Sequence, residues 1–360
     1  FPESDLAKHG LNEALKGDPQ IVLTGGHDHA GGEAHTLDEI GLLAWLETVS
    51  GVSAFAVASK FATRNPAHEL RAMEMIREAT GAPVSASHQL SAKLNGPKRA
   101  LTALLNARLI GMIDKLIVRA EDGLRNLGIT APLMVVRGDG ALISSAQARE
   151  KPIETILSGP AASIVGAQWM TGAQEALVSD IGGTTTDIAL LRDGRPKIDP
   201  EGARVGPYRT MVEAVAMRTS GLGGDSEVHF ITEGLKGGLT LGPRRVLPVS
   251  LIALDAPELV KSTMEAQLRA PAPSEFDGKF IKRVDGVSHA GLAPRDEAVL
   301  ERVEGVMPLS KVVRTRIETQ SIRRLVERGI VQVSGVTPSD ASHVLGLLDS
   351  WDAEAAHLAL

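Results

Sequence analysis

Apolar positions along this 360-residue chain change their period several times, and the changes alternate between strand and helix. Residues 52–59 (VSAFAVAS) form a short apolar run that predicts a buried strand. Asn65 then offers a helix cap, with Pro66 at the first position and Gly81 as the stop. A second short strand is predicted over 83–87. From about Lys98 to Leu127 the apolar residues Leu101, Leu105, Met112, Leu116, Leu124 and Leu127 recur at helical spacing, and Gly128 closes the segment. Residues 132–137 predict a strand and 159–169 a helix of small residues. Residues 176–181 and 186–192 then predict two buried strands. This alternation indicates an α/β domain.

Past residue 242 the pattern changes. Pro243, Pro248, Pro257, Pro271 and Pro273 punctuate what is expected to be a looser region, followed by charged helical stretches near 294–305 and 310–328. A strand over 330–336 leads into Thr337-Pro338-Ser339-Asp340, a helix start with cap, proline and first-turn acid. The expected organisation is 1–90, the remainder of an N-terminal lobe; 91–242, a nucleotide-binding lobe; and 243–360, an insertion and partly helical C-terminal region. There is no internal repeat and no low-complexity tract.

Composition narrows the function. The 38 basic and 44 acidic residues leave a net charge of -6, and aromatics make up only 3%, which argues against nucleic-acid binding. The chain contains no cysteine, so disulfides, thiolate metal sites and cysteine nucleophiles are excluded, as fits a reducing cytoplasm. The first residues (FPESDLAKHG) lack the basic and apolar regions of a signal peptide, and no apolar run reaches the ~18 residues of a membrane helix. The chain starts at Phe1 and stops inside an apparently helical stretch, so a fragment is expected.

The candidate chemistry lies between the two strands, in Asp180 to Asp187 (DIGGTTTD). Gly182 and Gly183 lack Cβ atoms, so the backbone can bend sharply and approach a ligand. Consecutive N–H groups in such a bend make an anion nest, to which Thr184, Thr185 and Thr186 add hydroxyls. Asp180 and Asp187 bracket the turn, where carboxylates can hold a magnesium-bound water or orient an attacking one. A plain strand–Gly-Gly–strand hairpin is the competing reading. The acid at each edge and the three hydroxyls favour phosphate binding. Neither GxxxxGK[ST] nor GxGxxG between strand and helix is present, so the site is of a hairpin type.

Three further segments carry weaker signals. The glycines and acid of Gly221-Leu222-Gly223-Gly224-Asp225-Ser226 could lie against a nucleotide or support the phosphate site, or form a flexible turn. In the loop Gly25-Gly26-His27-Asp28-His29, the last three residues are candidate ligands of a transition metal, with His35 in reach, although a solvated polar loop is the commoner outcome. Asp139, after the strand 132–137, is a candidate substrate contact because α/β sheets place ligands at strand C-terminal ends, although a plain Asp-Gly turn is the commoner explanation.

Segment 156–191 (ILSGPAASIVGAQWMTGAQEALVSDIGGTTTDIALL) resembles the middle of the actin-like ATPase superfamily, which includes heat-shock chaperone ATPases, sugar kinases and actin. Within it, the sequence is most similar to the A subunits of the hydantoinase/oxoprolinase family. The resemblance rests on Asn65-Pro66-Ala67-His68-Glu69, Leu105-Asn106-Ala107, Leu157 to Ala162, Ser220 to Ser226, and Gly335 to Asp340 with His343, in the family's order.

It implies RNase H-like (actin-like ATPase) lobes, with mixed sheet and flanking helices, an additional C-terminal α/β region, and ATP with Mg2+ in a cleft. It also implies an ATP-dependent opening of a cyclic amide or urea, of hydantoin or oxoproline type, through a phosphorylated imidate-like intermediate. Relatives drive ketone carboxylation instead. A B-type partner subunit, an oligomeric assembly and a cytoplasmic location go with the family. Two departures stand out. Family members carry a first DxGGTxTD turn that this chain lacks, and residues 91–97 (SAKLNGP) lack the charged Arg-Glu-Tyr-type stretch of many relatives. A small-molecule kinase of the same superfamily, and a non-catalytic nucleotide-dependent switch, remain the alternatives.

Overall fold

The structure is a computed structural model, and it describes residues 7–231 and 238–360. Chain contacts group into two compact units, Phe1–Asp180 with Ile188–Arg218, and Ile181–Asp187 with Thr219–Leu360.

The first unit mixes short strands with longer helices. Phe55–Val57 and Val84–Ala86 pair in parallel, shorter than the runs predicted for them. The helices Glu39–Thr48 and Ala67–Thr80 cover this pair through Leu42, Leu46, Met73 and Ile76. Asn65 accepts from the Ala67 N–H at 3.0 Å and Gly81 ends the second helix with a left-handed backbone (φ 69°), as the sequence predicts. The long helix runs Gly96–Asn126. Its first half buries Leu101 and Leu105 beside Leu11, Ile153 and Val212. Its second half departs from expectation. Met112 and Leu116 are 61% and 60% exposed, and Ile117 is the residue that packs, against Ile143 and Ala148. Helical spacing selects a stripe, but the position of the hairpin Met134–Val136/Leu142–Ser144 decides which stripe is covered.

The helix Ser158–Thr171 and the strands Ala176–Ile181 and Thr186–Arg192 fall where predicted. Ala161 and Ile164 pack against Ala189, Leu191 and Val215. These strands are buried on one face only: Leu177 and Ile181 are 68% and 70% exposed, so the expectation of two buried strands is corrected. Successive side chains of a strand point to opposite faces, and here one face alone meets a helix.

The second unit overturns the expected looseness after residue 242. A four-stranded sheet is ordered Leu247–Pro248, Val331–Gly335, Phe280–Arg283, Met307–Pro308. Its first pairing is parallel and the others antiparallel. One core gathers Ile281, Val299, Leu300, Ile322, Leu325 and Val333; another gathers Val249, Ile252, Val260 and Phe280. Prolines start elements here (Pro257, Pro294, Pro338) instead of breaking them. The helix expected over 310–328 is split into Leu309–Val312 and Glu318–Glu327. The Glu318 carboxylate accepts the N–H groups of Arg314 (2.6 Å) and Thr315 (3.1 Å), which fixes the non-helical link between the two pieces.

The helix start at Thr337 is as predicted, with Pro338 in the first turn and a capping box to Asp340. Asp340 is fully buried and does more than cap. It also accepts the Val249 and Ser250 N–H groups (3.2 and 2.8 Å) and the Ser250 hydroxyl (2.7 Å), so one carboxylate ties two helix starts together. His343 is buried, hydrogen-bonded to the Ser339 carbonyl and stacked on Trp351, which accounts for it as a packing residue.

Candidate functional site

The turn predicted to hold phosphate is the tip of the strand pair 176–181 and 186–192. The tip, Ile181–Asp187, is grouped with the second unit. It closes with the Gly182 N–H donating to the Thr185 carbonyl at 2.9 Å. The N–H groups of Gly183 and Thr184 donate to no acceptor among the described residues, which leaves them free for an anion.

The second glycine cluster packs directly on this tip. Gly224 N–H donates to the Gly182 carbonyl (3.0 Å) and Asp225 N–H to the Gly183 carbonyl (2.9 Å). Thr186 Oγ1 donates to the Leu222 carbonyl at 2.7 Å. The approach needs glycine: a Cβ on Gly223 would stand 2.5 Å from the Gly183 carbonyl carbon and 2.6 Å from the Gly182 oxygen. Gly223, Gly224 and Asp225 thus brace the turn, whereas Gly221 lies beside Pro243. Ser226 reinforces it by accepting the Gly223 N–H at 2.8 Å.

Asp187 is oriented by Thr219, whose Oγ1 donates to Oδ1 at 2.5 Å. Asp180 lies in the strand Ala176–Ile181 and is grouped with the first unit. Asp225 accepts both Nε and Nη2 of Arg245 on Oδ2 (3.1 and 2.9 Å) and the Ser339 hydroxyl on Oδ1 at 3.2 Å. Ser339 also donates to the Gly224 carbonyl at 2.9 Å. Thr219 and Arg245 were not singled out by sequence, and Ser339 was read only as part of the helix start 337–340 and of the family motif. Ser339 lies more than a hundred residues beyond the loop that it supports, and the paired arginines of GPRR at 242–245 are the one local signal that could have pointed to a cation.

The other predicted residues lie elsewhere. Asp139 caps its own turn, accepting the Ala141 N–H (3.0 Å) and Arg137 Nη2 (2.9 Å), as a simple Asp-Gly turn requires. His27 is buried with its ring 4.3 Å from that of His68, and its Nδ1 has no partner. Burial, then the neighbouring His68, holds its pKa below the usual histidine value. Asp28 spends Oδ1 on the N–H groups of Ala30 and Gly32, both 2.9 Å, and these bonds, the Gly32 one first, keep its carboxyl below the ordinary range. His29 and His35 are exposed. Among the described residues no three His, Cys, Asp or Glu side chains converge to hold a metal ion, so the loop offers packing and a turn in place of a shell.

One buried polar cluster in the first unit was also missed. Glu69, fully buried, accepts from Ser59 N–H (2.6 Å), Ser87 Oγ (2.6 Å), and His88 N–H and Nδ1 (2.9 and 2.7 Å). Arg99, also buried, reaches Ser87 Oγ (3.3 Å) and the Ser59 carbonyl (3.0 Å). Burial lowers its pKa, against the pull of Glu69. The cluster pins three segments to the long helix.

The glycine-braced turn lies within a stretch, residues 99–250, that matches the hydantoinase/oxoprolinase family model, and residues 5–80 match the model of that family's N-terminal region. The chain belongs to the hydantoinase/oxoprolinase family. It is 31% identical over 221 residues to the caprolactamase subunit alpha of Pseudomonas jessenii, covering 59% of this chain and 31% of that one. It is 29% identical over 236 residues to the acetophenone carboxylase gamma subunit of Aromatoleum aromaticum, covering 60% and 31%. The solved structure of the ATP-dependent caprolactamase from Pseudomonas jessenii superposes with a TM-score of 0.53 at 30% identity, over 62% of this chain and 33% of that one. The chain therefore spans about a third of the length of these curated relatives.

Proposed function

We propose that this chain carries one part of the ATP site of a hydantoinase/oxoprolinase-type enzyme that opens a cyclic amide or urea. The observation that carries the reading is the braced turn: two glycine segments locked together by the contact that Gly223 permits, with two free N–H groups at the tip. A Cβ at Gly183 would stand 2.6 Å from Asp225 Oδ2 and one at Gly223 would meet the 182–183 backbone, so the turn needs both glycines, and its two free N–H groups fit a phosphate group. Similarity to an ATP-dependent caprolactamase supports both the nucleotide and the amide.

In this reading the N–H groups of Gly183 and Thr184 and the hydroxyls of Thr184 and Thr185 bind phosphate oxygens. Asp187, aimed by Thr219, holds a magnesium-bound water, as does Asp180 on the strand that leads into the turn. ATP, when bound, supplies the phosphoryl group that makes an amide carbon attackable; the protein's contribution is positioning and charge neutralisation. The same reading takes the two-lobed actin-like arrangement, a B-type partner subunit, an oligomer and a cytoplasmic location from the family. No helix among the described residues is long and apolar enough to cross a membrane. A carboxylase reaction is the second reading, favoured by the acetophenone carboxylase likeness.

The test is MgATP turnover by the intact protein with and without caprolactam, a hydantoin or 5-oxoproline. Lactam-stimulated turnover that disappears in Asp187→Asn is the expected result. Turnover stimulated by a ketone with bicarbonate, and by none of the amides, selects the carboxylase. MgATP binding that survives Gly183→Val overturns the assignment of the turn.

A further inference from the structure

We infer that Arg245 is a phosphate-contacting residue of this nucleotide site, held ready by Asp225. The inference rests on the ATP reading of the turn and adds the cation that the turn itself lacks.

Arg245 ends the strand Gly238–Arg245 and pairs across the hairpin with Ser226, which sets it beside the braced loop. Its guanidinium stands over the tip: a Cβ built on Gly183 would lie 3.3 Å from Arg245 Nη2 and 2.6 Å from Asp225 Oδ2. The pair therefore faces the backbone whose N–H groups are free. Nε and Nη2 are both committed to Asp225, which leaves three of the five guanidinium N–H donors available. The side chain is 62% exposed, so an anion can reach them.

Asp225 is itself immobilised. Its N–H donates to the Gly183 carbonyl (2.9 Å), its carbonyl accepts from Val246 (3.0 Å), and its other carboxylate oxygen accepts from Ser339. A bare carboxylate this close to the turn would repel phosphate. Arg245 cancels that charge and adds directional donors on the same side. A lysine could neutralise Asp225 but could not hold it with two N–H groups and still offer a fork to phosphate oxygens. The adjacent Arg244 points to the other strand face, toward Glu227 (Nε to Oε2 3.5 Å), and provides a matched control of equal charge.

The experiment is calorimetric titration of the intact protein with MgATP, comparing wild type with Arg245→Ala, Arg245→Lys and Arg244→Ala. Arg245→Ala is expected to weaken binding by roughly 10- to 100-fold, the loss of charge-assisted hydrogen bonds to phosphate. Arg245→Lys recovers part of this, and Arg244→Ala binds as wild type. Asp225→Asn combined with Arg245→Ala binds more tightly than Arg245→Ala alone, because the uncompensated carboxylate is gone. Where the alanine variant does not fold, Arg245→Gln keeps a hydrogen bond to Asp225 without the charge and shows the same loss. Wild-type affinity in Arg245→Ala or Arg245→Gln overturns the inference, as does an equal loss in Arg244→Ala. A wild-type protein that binds no MgATP overturns the ATP reading itself, a result distinct from either.

Discussion

Gly223 lies so close to Gly183 that a Cβ at position 223 would stand 2.5 Å from the carbonyl carbon of residue 183. The contact is backbone on backbone, so neither side can yield by rotating a side chain. Gly223→Ala should part the two segments and cost about 1–3 kcal/mol, in the range of overpacking a filled site. Urea unfolding of the variant checks the stability, and nucleotide titration checks the turn, with binding expected to fall although no phosphate-facing group is removed.

Glu69 gathers four hydrogen bonds in a site closed to water, and Arg99 is buried beside it. Glu69→Ala strands the Ser59 and His88 donors and leaves the Arg99 charge uncompensated. A loss of about 3 kcal/mol or more is expected, since each buried unsatisfied group costs its desolvation. Gln at 69 retains part of the acceptor set and should cost less than alanine. Chemical denaturation of both variants decides it; equal, small losses would show that the cluster is solvated.

Glu318 is held by Arg302 first and by the Arg314 and Thr315 N–H groups, and its pKa falls from 4.5 to about 2. A carboxyl depressed in the folded state stabilises above its unfolded pKa and loses that contribution as pH falls through the folded value. Stability should therefore drop between about pH 4.5 and pH 2 by up to about 3 kcal/mol. Urea midpoints measured across that window should decline less steeply in Glu318→Gln than in wild type.

His27 behaves in the opposite chemical sense but with the same slope. Its pKa is lowered from 6.5 by burial and by His68, so the folded protein binds fewer protons than the unfolded chain just below pH 6.5. Stability is complete above that pH and declines as acid forces charge onto a ring whose Nδ1 has no partner. His27→Phe should flatten the pH dependence of the melting temperature below pH 6.5. An unchanged slope would assign that dependence to other groups.

Much of this was written locally. The DIGGTTTD turn, the small-residue helix before it, the Asn65-Pro66 and Thr337-Pro338-Ser339-Asp340 helix starts, and their glycine or capping partners are short-range features. Each is set by backbone conformations and bonds between residues three or four apart, so sequence determines them directly. What tertiary structure alone decided is which of these features meet. It set the glycines of 223–224 under those of 182–183, brought Ser339 to Asp225, and turned Arg245 rather than Arg244 toward the turn. It also chose Ile117 over Met112 and Leu116 as the covered stripe of the long helix, and left Leu177 and Ile181 outward. A periodic pattern states that a face can be buried, but the partner that buries it arrives from distant sequence, and its position depends on how the whole chain packs.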